Sequence, residues 1–315
     1  MKKLLYTIFI LILLSNLNAQ DDWLQGWRDA TIAFGVLDSA FLKHPITNKF
    51  IIKPNGDTLR VQYFKVIGTG VIFANPDTTD ITPYIVTAKH VFFNPEKKWK
   101  PDKLQIRFSW FSEKSVVDYH GIEINLKVNN NFIWTPHPNS YVDLAILPLK
   151  VSIKEAGKRS ITPVRINNIA TIDDAFEGAS ILLFGYPGAV GPDYWTKPIV
   201  RNGVIAHVNY KHFGDVPFLI DAMVFPGNSG GPVFTVPSGM KRFGNFGIGG
   251  QSKFLGIVSS VYRESINVEP ASTSFVETST DSINTHYKTF DFIGLSVIEP
   301  AEKVKELFQA LKRVK

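Results

Sequence analysis

Apolar residues recur at alternate positions in short runs along most of this chain. Clusters of Gly, Pro, Asn and Asp separate the runs. This is the pattern of β-strands joined by tight turns. In the first half it predicts strands over Thr31–Leu37, Leu59–Val66, Gly70–Ala74, Tyr84–Thr87, Leu104–Trp110, Ile122–Val128 and Leu144–Pro148. In the second half it predicts them over Ile181–Gly185, Ile199–Asn209, Phe218–Ile220, Pro232–Thr235, Phe254–Val261 and Thr289–Leu295. Pro54-Asn55-Gly56-Asp57 is a strong turn signal between two of the runs. Many short strands without intervening helices predict an all-β barrel or sandwich rather than βα units. Helical periodicity is clear only at the end. Pro300 suits a first helical position, and Val304, Leu307, Phe308 and Leu311 form one apolar stripe that should dock on the body of the protein. The polar stretch from Glu264 to Thr289, with Glu277-Thr278-Ser279-Thr280-Asp281-Ser282 at its centre, reads as a long solvated loop. Lys150 to Thr162 reads as the connection between the halves, and Asp21-Asp22-Trp23 as an exposed lead-in.

The first residues break the pattern. Met1-Lys2-Lys3 is basic, Leu4 to Leu14 is apolar, and Ala19 offers a small residue for cleavage. This is the form of a secretory signal peptide, so residues 1–19 are expected to be removed and the protein to be exported, to a periplasm or to the exterior. No later run is long enough for a spanning helix, so no stable membrane span is expected after cleavage. The chain has 315 residues, 44% of them hydrophobic and 20% charged, which is ordinary for a folded domain of this size. It has no cysteine, which excludes disulfides, thiolate metal sites and a cysteine nucleophile. The formal charge of +6 falls to +4 when Lys2 and Lys3 are removed. That mild excess, without a dense basic run, gives no reason to expect a nucleic-acid partner.

Three motifs carry candidate chemistry. Phe225-Pro226-Gly227-Asn228-Ser229-Gly230-Gly231-Pro232 surrounds a serine with glycines, which permit tight backbone turns and can aim several N–H groups at one point. Such donors form an oxyanion hole, each worth about 10²–10³ in rate. Ile85-Val86-Thr87-Ala88-Lys89-His90 leads a strand into a histidine that can serve as the base. None of the other six histidines has comparable flanks, and His137, between Pro136 and Pro138, reads as a loop residue. Asp143 opens the apolar strand Leu144-Ala145-Ile146-Leu147, where a carboxylate is costly unless paired, as it would be by a histidine Nδ1–H.

The order His90, Asp143, Ser229, with these flanks, resembles the trypsin/chymotrypsin-like serine peptidase superfamily. The motif flavour is similar to the bacterial Deg-type (high-temperature-requirement) proteases, through Gly68-Thr69-Gly70, Phe184-Gly185-Tyr186-Pro187 and Asp221 with Pro226-Gly227-Asn228. The resemblance spans about Thr31 to Leu295. It implies two six-stranded antiparallel β-barrels with the active site between them and a C-terminal amphipathic helix. The expected boundaries are 20–155 for the barrel with His and Asp, 156–298 for the barrel with Ser, and 299–315 for the helix. It implies a serine endopeptidase acting on protein or peptide substrates through an acyl-enzyme. Ser229 would be the nucleophile, His90 the general base and then acid, and Asp143 its orienting partner. The N–H groups of Gly227 and Ser229 would form the oxyanion hole. Ser259 would stand beside Asp143, with Gly256 and Val258 in a strand that pairs with substrate. Met223, Val224, Ser260 and Val261 would line the S1 pocket. None of these four is acidic, so Lys or Arg at P1 is not expected and a small to medium apolar residue is. The mechanism implies no metal and no cofactor.

Two departures qualify the resemblance. Asn228 stands where many secreted members carry an aspartate that pairs with a freed N-terminus, so that activation route is not expected. The 86 residues after Ser229 are taken up by the last strands and the helix, so the PDZ domain of Deg-type enzymes is not expected. Two other readings remain open. Gly227-x-Ser229-x-Gly231 also fits the esterase nucleophile elbow, but Gly230-Gly231-Pro232 is a poor helix start and βα alternation is missing. A catalytically silent or conformationally gated binding protein on a protease fold is the second. The oligomeric state is not legible.

Overall fold

The computed structural model describes residues 25–44, 46–76, 82–111, 117–150, 163–188, 197–237, 239–240, 244, 246–247, 251–268 and 287–314. The leader expected over residues 1–19, the lead-in at 21–23, nearly all of the connection between the halves and the centre of the polar stretch lie outside them.

Helical residues 25–30 (α1) open the described chain, an element that strand periodicity did not announce. Gln25 bonds Asp29 one turn on, at 2.7 Å, and Thr31 Oγ1 closes the helix on the Trp27 carbonyl at 2.7 Å. The N-terminal half then builds β1 (Thr31–Phe41), β2 (Arg60–Phe73), β3 (Tyr84–Ala88), the single turn α2 (Lys89–Phe92), β4 (Lys103–Phe111) and β5 (Val117–Asn125). A small hairpin of β6 (Lys127–Val128) and β7 (Asn131–Phe132) follows, then β8 (Thr135–Pro136) and β9 (Leu144–Pro148). The main strands form one antiparallel sheet in the order β5-β4-β1-β2-β3-β9-β8.

The C-terminal half contains β10 (Ser180–Gly185), β11 (Ile199–His207), β12 (Phe218–Asp221) and β13 (Pro232–Thr235). After the short pair β14 (Gly239–Met240) and β15 (Phe246–Gly247) come β16 (Phe254–Val268), β17 (Tyr287–Pro300) and the helix α3 (Ala301–Val314). Here six strands close a barrel, β10-β11-β12-β17-β16-β13.

The all-β, chymotrypsin-like architecture is therefore the one the chain adopts, with one difference in the first half. That half is a seven-stranded sheet whose outer strands, β5 and β8, do not pair. β8 is only two residues long, and Pro136 has no N–H to extend a ladder. Two expected strands, Leu59–Val66 and Gly70–Ala74, fuse into β2, with the register against β1 shifting at Phe34/Gly35. The expected long loop is also shorter than its polarity suggests. β16 and β17 pair out to Val268 and Tyr287, because the alternating Ile266, Val268, Tyr287 and Thr289 suit a two-stranded ribbon.

One core cluster joins the halves. Val71, Phe73, Val86, Leu144 and Ile146 from the first meet Phe184, Phe234, Phe254 and Ile257 from the second, and Ala301, Val304, Leu307 and Phe308 of α3 seal it. The expected stripe thus docks on the body. Trp27 fills the centre of this cluster. Its ring stacks on Phe254 at 5.0 Å and meets Phe234 edge-on at 4.7 Å and Phe73 at 5.7 Å. Trp27→Ala should accordingly cost about 3–5 kcal/mol, read as a shift of the urea midpoint, whereas replacing the 87%-exposed Ile46 by Ala should change the midpoint little.

Candidate active site

His90 lies in α2, directly after β3, and Asp143 directly before β9, the strand paired with β3. Adjacent strand ends bring the two side chains together. His90 Nδ1 and Asp143 Oδ2 are 2.7 Å apart, and the His90 backbone N–H donates to Asp143 Oδ1 at 3.0 Å. Ser259 Oγ donates to Asp143 Oδ2 at 2.8 Å. A ring nitrogen facing a carboxylate donates to it, which assigns the proton to Nδ1 and leaves Nε2 as an acceptor.

Ser229 comes from the other half. Its carbonyl accepts the Thr69 N–H at 2.7 Å. The next residue, Gly230, donates to the Val258 carbonyl at 2.7 Å, and Val258 donates to the Gly231 carbonyl at 2.9 Å. Ser259, bonded to Asp143, directly follows Val258. The serine loop is thus anchored one residue from a group that touches the His90–Asp143 pair. Among the described residues, Ser229 Oγ forms no hydrogen bond to His90. The serine loop is tied to the first half by the Thr69 bridge and to β16 by the two Val258 bonds.

Thr69 is the main clamp, and it is fully buried. Besides its N–H, its Oγ1 donates to the Gly227 carbonyl at 2.7 Å and accepts the Tyr186 N–H at 3.0 Å. Its own carbonyl accepts Thr87 Oγ1 at 2.6 Å, three residues before His90. The glycines are needed for this closeness. Gly230 has φ +92°, and a Cβ on it would lie 1.8 Å from the Thr69 carbonyl oxygen. Gly227 has φ +103°, and a Cβ there would lie 2.4 Å from the Tyr186 carbonyl oxygen. Among the described residues, neither Gly227 N–H nor Ser229 N–H donates to a backbone carbonyl.

The remaining expected residues fall in different surroundings. Val258 and Gly256 lie inside the barrel ladder. Both backbone groups of Val258 are taken by Gly230 and Gly231, and Gly256 pairs with Val233 and Pro300. Through these bonds Val258 supports the serine loop. Val224 is buried in the second-barrel core with Val261 packed against it, while Met223 is 65% exposed and Ser260 is exposed. Arg201, not singled out by sequence, donates to the Met223 carbonyl at 2.9 Å and lies 4.8 Å from the centre of the Phe225 ring. Asn228 is buried, with neither end of its amide bonded. His137 is a buried loop residue whose burial holds it toward the neutral form, against the pull of Glu306. Among the described residues no group of three His, Asp or Glu side chains is placed to hold a metal.

A further residue was missed. Glu299, at the end of β17, accepts the Asp143 backbone N–H on Oε1 at 2.9 Å. Burial raises its pKa above the ordinary 4.5, the Asp143 N–H and the Lys303 and Lys89 cations oppose that rise, and the Asp143 charge adds to it.

A family model for the trypsin-like peptidase domain matches residues 68–239, more than half of the chain. The chain belongs to the trypsin-like peptidase family. No curated protein matches it. Among solved structures it is similar to the HtrA-type protease AlgW with a decapeptide, at 14% identity and a TM-score of 0.45, over 92% of this chain and 66% of that one. A serine-to-alanine variant of AlgW, also with a decapeptide, is similar at 16% identity and a TM-score of 0.42, over 90% of this chain and 64% of that one. The chain thus spans a little under two thirds of the length of these two proteins.

Two outcomes follow from the geometry. Thr69→Val removes the buried hydrogen bonds that Oγ1 makes with the Gly227 carbonyl and the Tyr186 N–H and should lower stability by about 1–3 kcal/mol, with Thr69→Ser close to the parent, by chemical denaturation. For Glu299, a folded pKa above the unfolded value means the folded state holds the extra proton as pH rises, so its contribution is lost above the unfolded value. Glu299→Gln should therefore match the parent near pH 4 and become the more stable of the two as pH rises above the ordinary 4.5, the gap opening by at most about 1.4 kcal/mol per pH unit and levelling off once the folded carboxyl has lost its proton, as followed by thermal melts across pH.

Proposed function

We propose that the protein is a serine endopeptidase that hydrolyses peptide bonds through Ser229, His90 and Asp143 and an acyl-enzyme intermediate. The observation that carries this reading is the Asp143 carboxylate, which accepts three hydrogen bonds, from His90 Nδ1, the His90 N–H and Ser259 Oγ. That arrangement fixes the imidazole tautomer and supports the imidazolium as it forms. His90 Nε2 then takes the Ser229 proton as Oγ attacks the scissile carbonyl, and returns it to the leaving amine. Water repeats the sequence on the acyl-enzyme. The N–H groups of Gly227 and Ser229, left free of backbone carbonyls, are assigned to the oxyanion.

We assign the S1 pocket to Met223, Val224, Ser260 and Val261; none is acidic, which favours an apolar P1 residue over Lys or Arg. We assign the N-terminal sheet to 20–155 and the closed barrel to 156–298, and the substrate class to exported or extracellular polypeptides, on the form of residues 1–19. Among the described residues no helix is long and apolar enough to cross a membrane.

The test is digestion of an unfolded protein such as casein by the mature chain and by Ser229→Ala. Loss of the nucleophile should reduce kcat on the order of 10⁶-fold, and the parent's cleavage sites should show apolar P1 residues. Equal cleavage by both proteins would refute the assignment of Ser229, and cleavage after Lys or Arg would refute the proposed pocket.

A further inference from the structure

Asp143 is held by more than its carboxylate. Its carbonyl accepts the Lys89 N–H at 3.1 Å, and its N–H donates to Glu299 Oε1 at 2.9 Å. The first bond comes from α2, beside His90. The second crosses from the other barrel, at the point where β17 passes into α3. The same face of α3 continues the grip one and two turns on. Lys303 Nζ bonds Glu306 at 2.8 Å, and the Glu306 carboxylate lies 3.2 Å from Nε2 of His137, at the far end of the loop that carries Asp143. Lys89 Nζ reaches into the same loop, onto the Ser140 carbonyl at 2.8 Å.

Packing alone does not account for a carboxyl here. Glu299 is 2% exposed, and its Oε2 is buried without a partner. Ala301, Val304 and Leu307, close by in the same segment, make the seal with apolar side chains. A buried acid with one oxygen unbonded costs stability. That cost falls on a side chain that bonds the backbone N–H of Asp143.

We infer that Glu299 is a positioning residue for hydrolysis: its Oε1 holds the Asp143 backbone so that the Asp143 carboxylate stays aligned with His90. The inference rests on the triad reading above. It assigns Glu299 no contact with substrate, and it makes the β17–α3 junction part of the machinery that orients the base.

The test compares Glu299→Met, which keeps the bulk and removes the acceptor, with Glu299→Gln, which keeps the acceptor and removes the acid. Both are checked for folding by near-UV circular dichroism, and the Asp143→Asn variant is run beside them. With a peptide substrate, Glu299→Met should lower kcat at least tenfold with KM changed less than twofold, and Glu299→Gln should restore kcat to within about threefold of the parent. Amide hydrogen exchange at Asp143, which needs no turnover, should accelerate at least tenfold in Glu299→Met and not in Glu299→Gln. Unchanged kcat and exchange in Glu299→Met, an effect on KM alone, or equal loss in both variants would overturn the inference. Full activity in Asp143→Asn would instead overturn the triad reading itself.

Discussion

Thr69 is the point at which the two halves of this protein become one site. Its backbone and side chain make four hydrogen bonds, two to the serine loop at Ser229 and Gly227, one from Tyr186 in the second barrel, and one from Thr87 on the strand leading to His90. A side-chain hydroxyl can donate once and accept as well, and Thr69 uses both capacities inside a fully buried environment. The position admits little else. Valine would fill the space but lose both bonds of the hydroxyl. Gly230 follows from the same constraint, since the loop there comes within contact distance of the Thr69 carbonyl, whereas Gly227 is required by the close approach of the Tyr186 carbonyl.

The site is built at a local cost in stability. Asn228 is buried beside Ser229 with its amide unbonded, Glu299 is a buried acid behind Asp143, and Gly227 and Gly230 sit at positive φ. These features surround the proposed catalytic groups, while the aromatic cluster around Trp27, with α3 sealed against it, supplies apolar burial of roughly 1.5–3 kcal/mol per large side chain. The division is physically sensible: packing holds the two halves, and polar groups that packing alone would not select set the angles at the cleft.

Much of this was legible in the sequence because it depends on local pattern. Alternation located the strands, the 3.6-residue stripe located α3, and the residues flanking His90, Asp143 and Ser229 marked the candidate chemistry. What escaped depends on contacts between segments far apart in the chain. Glu299 is 156 positions from the Asp143 backbone it holds, and nothing in its neighbours signals burial. Its place before Pro300 and a helix reads as an ordinary exposed acid. The α1 turn was missed because six residues carry too little periodicity, although Trp27 anchors the core. The ribbon beyond Val261 was hidden by polar residues that suit a two-stranded extension as well as a loop. The unclosed first barrel turns on one short strand ending in Pro136.

The central claim is that the Thr69 clamp delivers Ser229 to a base oriented by Asp143. The most direct test is fluorophosphonate labelling with the modified residue mapped by mass spectrometry, in the parent and in His90→Ala. The account predicts a single adduct on Ser229, formed at least 10³-fold more slowly without His90. An adduct on another residue, or labelling of Ser229 at the same rate in His90→Ala, would contradict it.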